Sequence, residues 1–192
     1  MIKKFDGIAI RGISAAVPRK VREMRDFIPR LQAGVDIERL IGHTGVERVR
    51  VTESDTTASD LCRFAAEQLF RDLELDPSTI DGLVFVSTTP DSMGSTSTIL
   101  QFKLGLPTTT PCFDLAYGCS GYIYALLQAS LLITSGTAKR VLLLVGQTNS
   151  KRLRKDDKST LALFGDGGAA SLIEASETGS ILLSVASDGS RS

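Results

Sequence analysis

Gly118-Cys119-Ser120-Gly121 is the most chemically loaded pattern in the chain and lies within FDLAYGCSGYIYALLQASLLITSG, residues 113–136. An extended segment passes there into a long apolar helix, and the cysteine stands at the junction. A cysteine attacks as its thiolate, a form favoured by the unpaired N–H groups and partial positive charge of a helix N-terminus. Gly118 and Gly121 leave room for a sharp strand-to-helix turn and for a substrate close to the backbone. In such an elbow the N–H beside the nucleophile can also hold an oxyanion. On these residues alone two readings stand: a nucleophile, or a small buried cysteine at a tight turn.

The other chemistry-bearing residues are less pointed. The usual partner of a catalytic thiol is histidine, and the single one, His43 between Gly42 and Thr44, reads as an exposed loop residue. LFGDGGAASLI at 163–173 lacks the lysine of a phosphate-binding loop and the spacing of a dinucleotide fingerprint. It reads as a glycine-rich turn packed close to another backbone, with Asp166 accepting from loop N–H groups. Cys62 falls on the apolar stripe of a helix and Cys112 in a short strand, so both read as packing residues. Three cysteines form neither a zinc-ligand spacing nor an even disulfide set, which fits a reducing compartment. No paired-carboxylate motif or metal-ligand cluster stands out, so no metal is expected.

The elements that must position Cys119 follow from composition and periodicity. The chain has 192 residues, 42% of them hydrophobic, enough to bury the core of one domain. Its 22 basic and 22 acidic residues cancel, so no overall field recruits nucleic acid or anionic lipid. The basic run 151–155, KRLRK, is closed by Asp156 and Asp157 and reads as a solvated loop. No apolar stretch reaches the roughly 20 residues of a membrane span, and no signal core is seen, so a cytoplasmic protein is expected.

Residues 7–17 alternate as a strand ended by Pro18, and 19–41, broken by Pro29 and Gly34, predict short surface helices. TGVERVRV at 44–51 reads as a turn into a short strand. Ala58, Leu61, Cys62, Ala65, Leu69 and Leu73 recur at helical spacing behind a Thr57 or Ser59 cap. DGLVFVSTTP is a strand buried on both faces. A Ser/Thr-rich loop at 91–98 leads to a helix near 99–104, and 111–115 is a short strand. Residues 121–134 are apolar nearly all round, which predicts a helix buried on every side. RVLLLVGQT is a further buried strand, and GGAASLIEAS and SILLSVASDG predict two strands joined by a turn at 177–179. This order is an α/β unit with a mixed five-stranded sheet, a buried central helix and covering helices.

FDLAYGCSGYIYAL resembles the active-site segment of the β-ketoacyl-acyl carrier protein synthase III group of the thiolase superfamily. Phe113, Asp114, Cys119, Gly121, Tyr122, Ala125 and Leu126 fit its pattern. TGVERVRV, ASDL, IDGLVFVSTTPD, RVLLLVGQTNS, DDKSTLALFGDGGAASLI and SDGS follow in family order. The layout is shared with chalcone synthase-like and hydroxymethylglutaryl-CoA synthase-like relatives. The resemblance implies one half of a thiolase-like fold, with residues 1–192 as the N-terminal domain. It implies that Cys119 accepts an acyl group from a thioester and passes it to the carbanion formed by decarboxylating malonyl-acyl carrier protein, in fatty acid or polyketide-like biosynthesis. The Cys119 N–H would serve the oxyanion hole, with Gly118 and Gly121 at the substrate. Met93 falls where the family has a residue reaching across the dimer into the partner's acyl pocket. Implied partners are acyl carrier protein, acyl-CoA and a second copy or a C-terminal-half chain. No cofactor is implied beyond acyl-CoA or acyl-acyl carrier protein as substrates.

The departures are as informative. The family's catalytic His and Asn lie in a second half of the same fold, and SDGSRS closes this chain near the end of the first. The tryptophan that stacks on adenine in members primed by acetyl-CoA is absent; Arg39 and His43 occupy that region. The family's phosphate-contacting basic residue corresponds to Arg152 or Arg154. Two other roles are compatible with this layout: a non-catalytic thiolase-fold subunit paired with an active partner, and an ester-forming acyltransferase.

Overall fold

The computed structural model describes residues 1–31, 34–154, 156–157, 160–188 and 190. Lys155, at the end of the basic run, and the final two residues lie outside these. The strands are β1 (Ile2–Ala16), β2 (Val21–Glu23), β3 (Arg48–Arg50), β4 (Gly82–Val86), β5 (Cys112–Leu115), β6 (Arg140–Thr148) and β7 (Asp166–Ser184). The helices are α1 (Met24–Leu31), α2 (Ile37–Thr44), α3 (Ala58–Asp72), α4 (Thr96–Lys103) and α5 (Gly121–Thr134).

Five strands form one mixed sheet in the order β1-β7-β6-β4-β5, and β2 pairs with β3 in a separate ribbon. β4 runs parallel to β5 and β6, while β7 is antiparallel to β6 and β1. All five residues of β4 are buried, because helices cover both faces of the sheet. Leu83 and Phe85 pack toward Cys62, Ala66 and Leu69 of α3, and Val84 and Val86 toward Ala125 and Ala129 of α5. The period-2 alternation of each strand thus sorts its side chains between two cores.

Thr57 caps α3 through a reciprocal pair: its Oγ1 accepts from the Asp60 N–H at 3.3 Å, and Asp60 Oδ2 accepts from the Thr57 N–H at 3.0 Å. The first turn of α3 descends on two glycines that face each other across β6 and β7, Gly146 and Gly168. A Cβ on Gly168 would stand 2.6 Å from Cys62 N, and one on Gly146 2.6 Å from Cys62 Sγ.

Four expectations are corrected. The segment 166–184 is one strand, not two joined by a turn: Ala175 pairs with Ile8 and Ser180 with Asp6, leaving residues 176–179 opposite Gly7. The turn-forming SETG makes a bulge, since β1 continues alongside and keeps both ends of β7 paired. The surface helices of 19–41 have a core of their own, with Met24, Ile28 and Ile41 buried against Leu161 and Ala162. Their break comes at Gly34, φ +82°, while Pro29 falls within α1. His43 lies in the last turn of α2, exposed, rather than in a loop. Helix α5 has one open side, where Ile123 is 39% and Leu131 48% exposed, because the sheet covers only the opposite face. Among the described residues no helix is long and apolar enough to cross a membrane.

Candidate active site

The site grows from the C-terminal end of β5. Leu115 pairs with Val86, and the Ser87 N–H donates to Leu115 O at 3.1 Å. Ala116, Tyr117, Gly118 and Cys119 then make the turn into α5. Gly121 N–H donates to Gly118 O at 2.9 Å and Ile123 N–H to Ser120 O at 3.0 Å, so the first helical turn forms immediately behind the cysteine. Tyr117 stacks on Tyr124 with centroids 4.4 Å apart, and Tyr124 Oη shares a 2.5 Å hydrogen bond with Ser187 Oγ.

The two glycines of the elbow do different work. A Cβ on Gly121 would lie 2.5 Å from Val86 Cγ1, so the helix can start this low on the sheet only with glycine there. Gly118 has a negative φ, and a Cβ there would meet nothing within 4 Å. It is not required by the turn, and the space above it is open. Cys119 is exposed, and among the described residues its N–H makes no backbone hydrogen bond.

The other two thiols are set apart by their surroundings. Burial pushes Cys62 from the ordinary 9.0 up to about 12, and burial followed by the Asp114 charge raises Cys112. Both match their reading as packing residues. Because folded Cys62 keeps its proton to about pH 12 and the unfolded thiol releases it near 9, the unfolded chain binds fewer protons in that window. The contribution is therefore complete below pH 9 and lost as pH rises from 9 toward 12. Urea midpoints should fall between pH 8.5 and 10.5, and Cys62→Ala should flatten that slope; an unchanged slope would contradict the assignment.

Met93 is fully exposed at the tip of the loop 91–95, and both ends of that loop are pinned. Asp91 accepts from Thr57 Oγ1 at 3.1 Å, from Ser59 N at 3.3 Å and from Ser59 Oγ, tying one end to the start of α3. At the other end Asp114 of β5 caps α4, accepting from Ser95 Oγ at 2.5 Å, Thr96 N at 3.1 Å and Ser97 Oγ at 2.6 Å. One carboxylate thus joins the Met93 loop to the strand that leads into Cys119. A cavity of about 190 Å³ lies between them, walled by Met93, Asp114, Leu115 and Ala116. Asp114 belongs to the recognised Phe-Asp pattern, but its role as a cap depends on β5 and α4 meeting and is invisible along the chain.

Arg152 follows β6 and donates through Nη1 to Thr88 O at the end of β4. With Lys151, Met93 and Asp91 it lines an open cleft of about 500 Å³. Lys151 Nζ donates to Ser54 O at 3.0 Å and Thr56 O at 2.5 Å, while Arg154 is paired with Asp156 at 2.7 Å. Arg39 and His43 lie exposed on α2 and line neither cavity. Asp166 is buried and accepts four bonds, from the N–H and Oγ1 of Thr52, both at 2.8 Å, and from Ser150 N at 2.8 Å and Oγ at 2.5 Å. It binds loop N–H groups as expected from the glycine-rich segment. Gly165 there packs on a neighbouring backbone, a Cβ standing 2.8 Å from Arg50 O.

A mixed sheet between α3 and α5, with a cysteine exposed at the β5–α5 elbow, defines a thiolase-like fold. Residues 113–189 match the 3-oxoacyl-[acyl-carrier-protein] synthase III family. The chain is 34% identical over 182 residues to the β-ketoacyl-[acyl-carrier-protein] synthase III of Methylococcus capsulatus, covering 94% of this chain and 56% of that one. It is 37% identical to synthase III 1 of Vibrio parahaemolyticus, covering 94% and 57%. The crystal structure of a 3-oxoacyl-(acyl-carrier protein) synthase from Burkholderia xenovorans superposes with a TM-score of 0.88 at 37% identity, covering 94% of this chain and 52% of that one. The synthase III of Aquifex aeolicus gives 0.82 at 31% identity, covering 89% and 55%. In sequence and fold the chain is similar to the β-ketoacyl-acyl carrier protein synthase III proteins and shares their thiolase-like fold. It spans about half the length of the curated relatives it matches.

Proposed function

We propose that this chain is the N-terminal half of a 3-oxoacyl-acyl carrier protein synthase III-type acyltransferase in which Cys119 carries the acyl group. The observation that supports this most directly is an exposed thiol at the N-terminus of α5 with its own N–H unspent. The Cys119 thiolate attacks the carbonyl of an acyl-CoA or acyl-acyl carrier protein. The tetrahedral oxyanion lies against the Cys119 N–H, and collapse expels the carrier thiolate, which takes up a proton. The acyl-enzyme then condenses with the carbanion from malonyl-acyl carrier protein, releasing carbon dioxide and restoring the thiolate. The groups that assist decarboxylation, a His and an Asn, would come from a second half of the same fold. Met93, held out by its pinned loop, suits contact with an acyl chain in a partner copy. Arg152 and Gly118 would border the incoming thioester, whereas Gly121, expected at the substrate, is buried against Val86 and sets the height of the elbow instead. No cofactor is needed for this sequence of steps, and a reducing cytoplasmic setting would keep the thiol free.

The test is intact mass spectrometry of the chain incubated with acetyl- and butyryl-CoA, alone and with a C-terminal half supplied. An acyl adduct on Cys119, absent in Cys119→Ala, is expected. If none forms even with the second half present, the proposal fails. The chain by itself should condense nothing with malonyl-acyl carrier protein, and slow turnover would refute its status as a half.

Self-association is expected on the same grounds. Met93 and Phe102 stand almost wholly exposed, and Ile123 and Leu131 line the open side of α5. Apolar groups presented in this way invite contact with other chains. Light scattering should report dimers or larger species, and a clean monomer at tens of micromolar would count against the half-fold reading.

A further inference from the structure

The C-terminal ends of β4 and β6 place a polar pair beside the elbow. Along β6, Leu142 and Leu144 face α3, whereas Val141 and Leu143 face α5. Val145 continues the α5 side and pairs with Val86, so Gln147, two residues on within β6, shares that face, and Thr88, just past the end of β4, meets it through its hydroxyl. Gly146 between them agrees, since its missing Cβ points at Cys62 on α3. Helix α5 meets the sheet where Gly121 touches Val86, and as the crossover from β5 to β6 it runs back along the strands. The residues before Gly121 therefore project past Val86. Gln147 lies about 7 Å further along the strands than the Val86 row, beyond the same end of the sheet from which the turn bearing Cys119 rises.

Gln147 is oriented by its neighbours. Its Oε1 accepts from Thr88 Oγ1 at 2.8 Å, Thr88 N at 3.3 Å and Thr89 Oγ1 at 3.4 Å. A backbone N–H can only donate, so the oxygen must face Thr88 and Nε2 must face away. Among the described residues Nε2 donates to nothing, and the side chain is half-buried. The result is a fixed donor without a partner on the face of the sheet that carries the nucleophile.

We infer that Gln147 contacts the substrate: Nε2–H donates to an oxygen on the acyl group bound at Cys119, so the site prefers 3-hydroxyacyl or 3-oxoacyl donors over the plain alkyl group of the same length. This rests on the acyl-enzyme reading. The thioester carbonyl is taken by the Cys119 N–H, and an oxygen on C3 is the next acceptor such a chain offers. Plain methylenes would strip water from the amide and return nothing, which selects against them.

The experiment compares acylation of Cys119 by 3-hydroxybutyryl-CoA and butyryl-CoA as a ratio of kcat/KM, read by intact mass in whichever preparation acylates. The wild-type ratio should favour the hydroxyacyl donor by about tenfold, the effect of one neutral hydrogen bond. Gln147→Glu keeps the acceptor for Thr88 and Thr89 but removes both Nε2 hydrogens, and should bring the ratio near one. Gln147→Asn keeps the donor on a shorter arm and should give an intermediate ratio even if the Glu variant folds poorly. A wild-type ratio of one, or a ratio unchanged in both variants while the two rates fall together, overturns the inference and leaves the acyl-enzyme intact. Absence of any adduct from either donor overturns both.

Discussion

Replacing Cys119 with alanine should remove every trace of acyl adduct, because neither of the other thiols can stand in for it. Cys62 is fully buried on the sheet-facing side of α3 and holds its proton to about pH 12, and Cys112 is half-buried in β5 with Sγ directed at Thr110 O, 3.4 Å away. Only Cys119 is exposed, on the turn where the N–H groups of α5 begin. Iodoacetamide at pH 7.5 should therefore label Cys119 first, with Cys62 reacting only on unfolding. Pre-labelling should abolish acylation as completely as the alanine substitution does. Equal labelling of Cys62 and Cys119 in the native chain would show that the elbow is not what distinguishes them.

The largest loss of stability is expected from Gly168→Ala. The added Cβ would lie 2.6 Å from Cys62 N and from Leu61 C, which are helix backbone atoms with no rotamer to change. Helix α3 would have to lift from the sheet, loosening Cys62, Ala65 and Leu69 from Leu142, Leu144 and Leu172. Overpacking of this kind costs about 1–3 kcal/mol, and the void opened behind the helix adds to it. A total of about 3 kcal/mol is a large share of the ~5–15 kcal/mol that holds a domain folded. Gly118→Ala is the control, since its Cβ would meet open space, and it should shift stability by no more than about 0.5 kcal/mol. Urea titrations of the two variants check this directly, and equal midpoints would refute the close approach.

Much of the fold was legible along the chain, and the reasons are local. Helix α5 has the bounds its apolar density predicts, from Gly121 to Thr134, and β6 coincides with RVLLLVGQT. Thr57 caps α3 because a Thr followed three residues later by Asp can close a reciprocal bond within one turn. Strand β7 was misread because SETG has the composition of a turn, and only the neighbouring β1 shows that the chain carries straight on. The open side of α5 was misread for a related reason: apolar density shows how many faces a helix wants covered, not which surfaces are there to cover them.

For the site, the residue types singled out Cys119 and its flanking glycines as a candidate and left two readings of the thiol open, since a thiol between glycines at a strand-to-helix junction is a pattern of adjacent positions; the structure shows that thiol exposed. They also sufficed to assign Cys62 and Cys112 to packing and Asp166 to its loop bonds. What tertiary structure alone decided are relations between distant segments. Asp114 reaches back to cap α4, Gly146 and Gly168 meet across two strands to admit α3, and the Gln147 carboxamide oxygen is held by Thr88 and Thr89. Each depends on strands far apart in sequence lying side by side in one register, which only the folded sheet sets.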